Sequence, residues 1–413
     1  MRSDALRSAR FKPSRNLWLF AGTSFFTDVS SHMVLPLLPL FLVGVLRATP
    51  SIVGLVEGGA ESFAALIKGF AGRWSDRSGQ RRLFVVSGYA LSTLTRALFV
   101  IATSWPLVLL ARLTERIGKG LRSAPRDALI VEDTEPAFRG RAFGFQQAFD
   151  AAGALLGAVL VWWLVAYFSY RELFTIALLP AAIGVMLALL VREKGGQKGG
   201  QVGISQAKSQ PDPLFPKSQP APLFPRARFR DLPPALGRAI VACALFALGQ
   251  FGVAFFVLAA SARGLGDRDT LAFYIVFNAA GTLAAWPAGR WSDTHGRRPL
   301  LVGGYTLFTA ACIAMLVHVT TSWVIAFALL GAGVAVIDAV QRALIADLAP
   351  PHLRATAMGA YYAAIALVAL PGGWLAGKLW QVYSPDATFV FGIVTSIVAA
   401  WMIWRLPESH TAR

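Results

Sequence analysis

Apolar stretches of about twenty residues recur along the chain with short polar breaks between them. They fall at 17–46, 52–71, 83–102, 105–126, 141–167, 172–191, 238–262, 270–289, 299–318, 321–346, 356–381 and 387–405. As helices, runs of this length cross a hydrocarbon core about 30 Å thick. Open sheets are excluded because unpaired backbone groups are too costly in lipid, and the runs are about twice the length of a barrel strand. The pattern predicts an all-α polytopic membrane protein with about twelve transmembrane helices. The first run follows Arg2, Arg7, Arg10, Lys12 and Arg15, as a secretory leader would. It continues to Leu46, however, is interrupted by Asp28, His32, Pro36 and Pro39, and offers no small-residue cleavage site, so it reads as a retained first span.

The runs also repeat. Ala71-Gly-Arg-Trp-Ser-Asp76 returns word for word as Ala288-Gly-Arg-Trp-Ser-Asp293. Each copy is followed by a glycine (Gly79, Gly296), an arginine pair (Arg81 and Arg82, Arg297 and Arg298) and a later Gly-Tyr pair. A second echo aligns Ala128-Leu-Ile130, Pro136, Arg139 and Gly144 with Ala343-Leu-Ile345, Pro351, Arg354 and Gly359 at a constant offset. Two collinear echoes predict two parallel, pseudo-symmetric six-helix bundles at 17–191 and 238–405. They are flanked by a basic N-terminus at 1–16 and a tail at 406–413. Residues 192–237 lack apolar periodicity and contain the tandem Lys208-Ser-Gln-Pro-Asp-Pro-Leu-Phe-Pro216 and Lys217-Ser-Gln-Pro-Ala-Pro-Leu-Phe-Pro225, so they read as an extended linker.

Composition agrees with lipid as the solvent: 55% of residues are hydrophobic and the mean hydropathy is +0.55. A formal charge of +17 raises the possibility of a nucleic-acid partner, which the placement of the charge argues against. Alternate loops on the N-terminal side hold 26 basic residues, whereas the opposite loops hold five: Arg47, Arg171, Arg263, Arg268 and Lys378. This is the positive-inside signature, so both termini are expected in the cytoplasm and the chain in a bacterial inner (plasma) membrane. Cys243 and Cys312 both lie within apolar runs and imply no disulfide.

The segment Gly72-Arg-Trp-Ser-Asp76-Arg77-Ser-Gly79-Gln-Arg81-Arg82, with its copy from Gly289 through Asp293, Gly296 and Arg297 to Arg298, resembles the signature loop of the major facilitator superfamily. Its glycines permit a tight reversal, the aspartate suits a helix N-terminus and the arginines suit anionic headgroups. The resemblance spans nearly the whole chain. It implies the fold of that family, alternating access, and a gating role for Asp76 and Asp293 on the cytoplasmic side. In the fifth span Gly144, Gly153 and Gly157 have the spacing of the family's antiporter motif, but Ala158 stands where its proline is expected. The same glycines equally permit close helix packing.

Charged side chains inside spans are costly and mark candidate functional sites. Glu57, Glu61 and Lys68 share one stripe of the second span. Asp28, Arg96, Arg112, Glu115, Arg116, Lys119 and Asp150 could line the same interior, with Asp338, Gln341 and Arg342 near the end of the tenth span. Buried carboxylates suit proton coupling or a cationic solute. The alternative is that Glu57, Glu61, Arg96 and Arg112 form structural ion pairs. Arg112 and Arg116 could also recognise an anion. His32, Gln146, Gln147, Gln250, Asn278, Tyr361 and Tyr362 are cavity-lining candidates. His32 beside Asp28 is too thin a ligand set for a metal.

The expectation is therefore a monomeric secondary transporter for a small solute, embedded in the bilayer. It needs no cofactor, binds no nucleic acid and draws on a proton gradient. Proton-coupled efflux of an organic compound or drug leads, with uptake of a small organic or metal-chelating anion as the alternative. An enzyme is disfavoured because no nucleophile constellation, phosphate loop or paired histidine motif is present. A receptor or scaffold would make the linker indispensable.

Overall fold

The computed structural model describes residues 12–78, 80–135, 138–192, 233–350 and 353–406. Within these, the side chains of 68–78, 286, 289–290, 292–295 and 355 are also outside the description. The linker at 193–232 and Gly79 therefore lie outside the described residues, as do the side chains of Asp76, Arg77 and Asp293 and the surroundings of Gly72 and Gly289.

The described chain is helical. The first six helices are α1 (Arg15–Val34, continuing through Leu37–Leu40 and Phe41–Val45), α2 (Pro50–Ser78), α3 (Arg81–Val100), α4 (Trp105–Asp133), α5 (Arg139–Leu164) and α6 (Tyr170–Leu189). The second six are α7 (Pro234–Gly249, then Gly252–Ala262), α8 (Asp267–His295), α9 (Arg297–Leu316), α10 (Thr320–Leu348), α11 (Arg354–Val382) and α12 (Pro385–Trp404). Ten of these are long and apolar enough to cross a membrane. The other two are α8, part of whose side chains lie outside the description, and α4. Charge along the interior of α4 lowers its hydropathy, yet the helix runs unbroken through Pro125 to Asp133, further than the apolar run alone predicts.

Packing repeats with a shift of six helices. The pairs α1–α5, α1–α6, α2–α4, α3–α4 and α3–α6 recur as α7–α11, α7–α12, α8–α10, α9–α10 and α9–α12. The two halves meet through α2–α11 and α5–α8, which are mates under the same shift. Large apolar side chains such as Leu283 and Leu367, each 77% exposed, face outward where lipid would cover them.

The first helix of each half is broken. Pro36 has no N–H to continue α1, and the chain turns at Leu35–Pro36 before a π turn at Phe41–Val45. In α7 the break falls at Gln250–Phe251, and Gly252 adopts φ +73. By contrast, α8 and α11 run through Pro287 and Pro371. Gly296, in the second copy of the repeated loop, has φ +86 where α8 reverses into α9, a conformation that favours glycine. Counterpart ion pairs brace both loops: Arg81 with Glu132 and Arg297 with Asp347.

Candidate functional site

A cavity of about 400 Å³ lies between the halves. Its first wall carries Glu57, Glu61, Arg112 and Arg116, together with Leu35 at the break in α1. The facing wall carries Gln250 and Phe251 at the break in α7, then Asp338, Gln341, Tyr361 and Tyr362. The broken helices thus meet at the cavity, as expected where interrupted spans expose backbone near the midplane.

The first wall is an ion-pair ladder. Arg112, 1% exposed, donates to Glu57 at 2.8 Å and to Glu115 at 2.7 Å, one guanidinium serving two carboxylates. One turn along, Arg116 stands 3.8 Å from Glu61. Spacing explains the match: Glu57 and Glu61 are one turn apart on α2, as Arg112 and Arg116 are on α4. Glu57 and Glu61 are thus both ion-paired in this structure.

Arg96 is buried behind this wall. It donates to the Thr27 carbonyl at 3.2 Å, the Ser92 carbonyl at 3.3 Å and Ser31 Oγ at 2.6 Å. Asp28 differs from the other acids. Among the described residues it forms no hydrogen bond or ion pair, and the charged groups around it are Lys119, Arg122, Arg126 and Arg96. Asp150 accepts from Gln146 Nε2 at 3.0 Å. Gln146 is buried outside the cavity and Gln147 is exposed on α5. Asn278 donates to the Tyr274 carbonyl within α8. Arg342 lies at the cavity and folds back to donate to the Asp338 carbonyl at 3.2 and 3.0 Å.

His32 reaches the other half: its Nδ1 lies 2.8 Å from the Tyr274 hydroxyl, which lines the cavity. Other links between the halves are Tyr170 with Asp267 at 2.5 Å, Ser51 with Gln381 at 2.9 Å, and Ser62 with the Ala366 carbonyl and the Leu370 N–H. The Tyr170 and Ser51 links join helix ends away from the linker, and the Ser62 link lies level with the cavity beside Glu61 and Ala369, so much of the cavity wall, including Ala65, Arg116 and Arg342, lies on the linker side of the outer links. Among the described residues no group of three or more His, Cys, Asp or Glu is placed to hold a metal.

Sequence reasoning missed Tyr274, Arg122 and Arg126. Arg122 donates to Ser92 Oγ at 2.6 Å and lies over the Tyr89 ring at 4.3 Å. Arg126 donates to Ser24 Oγ at 3.0 Å. The signal for both arginines was available, because Arg112, Arg116, Lys119, Arg122 and Arg126 fall at helical spacing along one side of α4.

The profile described as the Major Facilitator Superfamily matches residues 20–286 and 269–413. An uncharacterized MFS-type transporter of Methanocaldococcus jannaschii is 32% identical over 397 residues, 94% of each chain. The multidrug resistance protein MdtH of Photorhabdus laumondii is 32% identical over 135 residues, 33% of each chain. Among solved structures, the nucleoside transporter NupG superposes with a TM-score of 0.73 at 12% identity, covering 95% of this chain and 98% of that one.

Proposed function

From the premise that this chain belongs to the major facilitator superfamily, and is a membrane transporter rather than an enzyme, we propose that it moves a small organic solute by proton-coupled alternating access. The solute occupies the cavity between the halves and Asp28 carries the proton. The observation behind this reading is that Asp28, on the first helix, is a carboxylate without an ion-pair partner among the described residues. Glu57, Glu61 and Glu115 are held by Arg112 and Arg116. A carboxylate fixed beside a guanidinium stays ionised, whereas one free of such a partner can gain and lose a proton during the cycle.

The positive-inside pattern supports a bacterial inner membrane location with the linker face, and hence the cavity opening, toward the cytoplasm. The family resemblance supports Asp76 and Asp293 as gate residues on that face, where Arg81–Glu132 and Arg297–Asp347 brace the same loops. The part-chain likeness to MdtH and the glycine spacing in α5 support export of an organic compound. Import of an organic anion is the second reading, favoured by the cations along α4.

The test uses purified protein in liposomes holding a pH-sensitive dye. A transported solute should move protons with it, and Asp28→Asn should abolish that proton flux while Glu57→Gln keeps it. Proton movement undiminished in Asp28→Asn would remove Asp28 from the coupling role.

A further inference from the structure

We infer that Lys119 binds an acidic group of the solute, so that the transported compound is an organic anion carried in the same direction as a proton. This rests on the reading above that the cavity is the solute site and Asp28 the proton carrier. Lys119 stands midway along α4, equidistant from Trp105 and Asp133. A cation at that depth needs a partner or water. Its side chain is exposed, and among the described residues its ammonium makes no hydrogen bond or ion pair. The acids of the ladder are engaged elsewhere: Glu57 and Glu115 by Arg112, Glu61 by Arg116.

Two observations place Lys119 toward the solute path. It lies two turns along α4 from Arg112 on the stripe that carries Arg112 and Arg116 to the cavity. The offset that aligns Ala128-Leu-Ile130 with Ala343-Leu-Ile345 aligns Lys119 with Val334, and Val334 lines the cavity in the other half. The charged groups around Lys119 are Arg116, Asp28, Arg122 and Glu115. Of these two cations and two carboxylates, Glu115 is already held by Arg112, which leaves Asp28 as the uncommitted negative charge.

Asp28 sets the sign of coupling. It is faced by Lys119, Arg122 and Arg126 from α4, by Arg96 from α3 and by Asp150 from α5, with His32 one turn on along α1. Ionised, its carboxylate attracts the Lys119 ammonium and repels an incoming anion. Protonated, it releases Lys119 to the anion. Proton uptake then tightens anion binding, and by reciprocity the anion favours proton uptake, so the two travel together. Of the two directions above, this favours import. The organic body would pack on Phe246, Phe251, Tyr274, Tyr361 and Tyr362, which line the cavity.

The experiment measures thermal unfolding of the purified full-length protein in detergent, near neutral pH, with three aromatic acids: salicylate, phenyl phosphate and benzenesulfonate. Salicyl alcohol and benzamidine serve as neutral and cationic controls. At least one acid should raise the midpoint beyond either control. Lys119→Gln should weaken that acid about tenfold, as expected for a lost charge-assisted bond, while Lys119→Arg retains it. Asp28→Asn should tighten it and flatten its pH dependence. An unchanged acid response in Lys119→Gln, stabilisation by benzamidine alone, or no response to any of the acids would each overturn the assignment. Where Lys119→Gln is poorly folded, Asp28→Asn decides: acid binding that is unchanged or weaker overturns it. Proton flux in liposomes that persists in Asp28→Asn would instead strike the coupling role of Asp28, independently of which solute charge the cavity prefers.

Discussion

In each half a tyrosine hydroxyl of the third helix meets a polar side chain of the first, and a donor from the fourth completes the group. Ser24 Oγ lies 3.1 Å from the Tyr89 hydroxyl and also accepts from Arg126 at 3.0 Å. In the second half the Tyr305 hydroxyl lies 3.8 Å from Cys243 Sγ and accepts from Gln341 Nε2 at 3.2 Å. Duplication has kept the hydroxyl and exchanged a guanidinium for an amide. The Gly-Tyr echo in the sequence shows that the tyrosines correspond, but not that they point inward, because periodicity locates a face without naming its partners. The same holds for Arg112. Sequence spacing allows it to bind a solute anion or to hold Glu57, and only the fold brings Glu57 and Glu115 to its two terminal nitrogens. Replacing Arg112 by Gln leaves two carboxylates without their cation, a change that typically costs about 3–5 kcal/mol. Arg112→Gln is therefore expected to show a large drop in thermal midpoint, and adding Glu57→Gln should recover part of it. If the double variant is no more stable than the single one, the pair is not what holds α2 to α4.

At the scale of helices, α2 and α11 approach so closely that a Cβ on Gly373 would collide with the Gly54 carbonyl, and one on Gly58 would sit 2.5 Å from the Ala369 carbonyl. Small residues at four-residue spacing, Pro50, Gly54, Gly58 and Ser62 on α2 against Ala369, Gly373 and Gly377 on α11, form a closed seam between the halves. By residue type alone, Pro371-Gly372-Gly373 would either loosen the helix locally or form a passive kink. In the structure α11 is continuous there, and Gly372 and Gly373 serve contact with Leu248 and Gly54. Composition alone cannot separate a hinge from a packing surface. The break in α7 was also hidden, since no proline marks it, whereas Pro36 made the break in α1 readable. Gly373→Val should hold the seam apart. Binding should survive, flux should fall severely, and a cysteine placed at Ser51 should become reactive to a membrane-impermeant thiol reagent. A fully active Gly373→Val protein would show that the seam tolerates separation.

For the whole molecule, the six-helix shift of the packing pairs was readable in the repeated loops, while the state of the transporter was not. A sequence specifies both ends of an alternating cycle, and the contacts across the halves select the one seen here. Ser51 and Gln381 span the seam at 2.9 Å. Cysteines at both positions, joined by a short thiol crosslinker, should stop turnover, and cleavage of a reducible linker should restore it. Undiminished flux in the crosslinked protein would mean that α2 and α11 need not part. The charges on α4 carry a consequence for how the chain is made. Each of Arg112, Arg116, Arg122 and Arg126 would cost up to about 2.5–3.5 kcal/mol in an isolated span. Yet the groups that receive them are synthesised earlier: Glu57 and Glu61 on α2, Ser92 on α3 and Ser24 on α1. This helix can leave the translocon at low cost when a socket built from the preceding three is already waiting, which makes biosynthesis of the first half directional from its N-terminus.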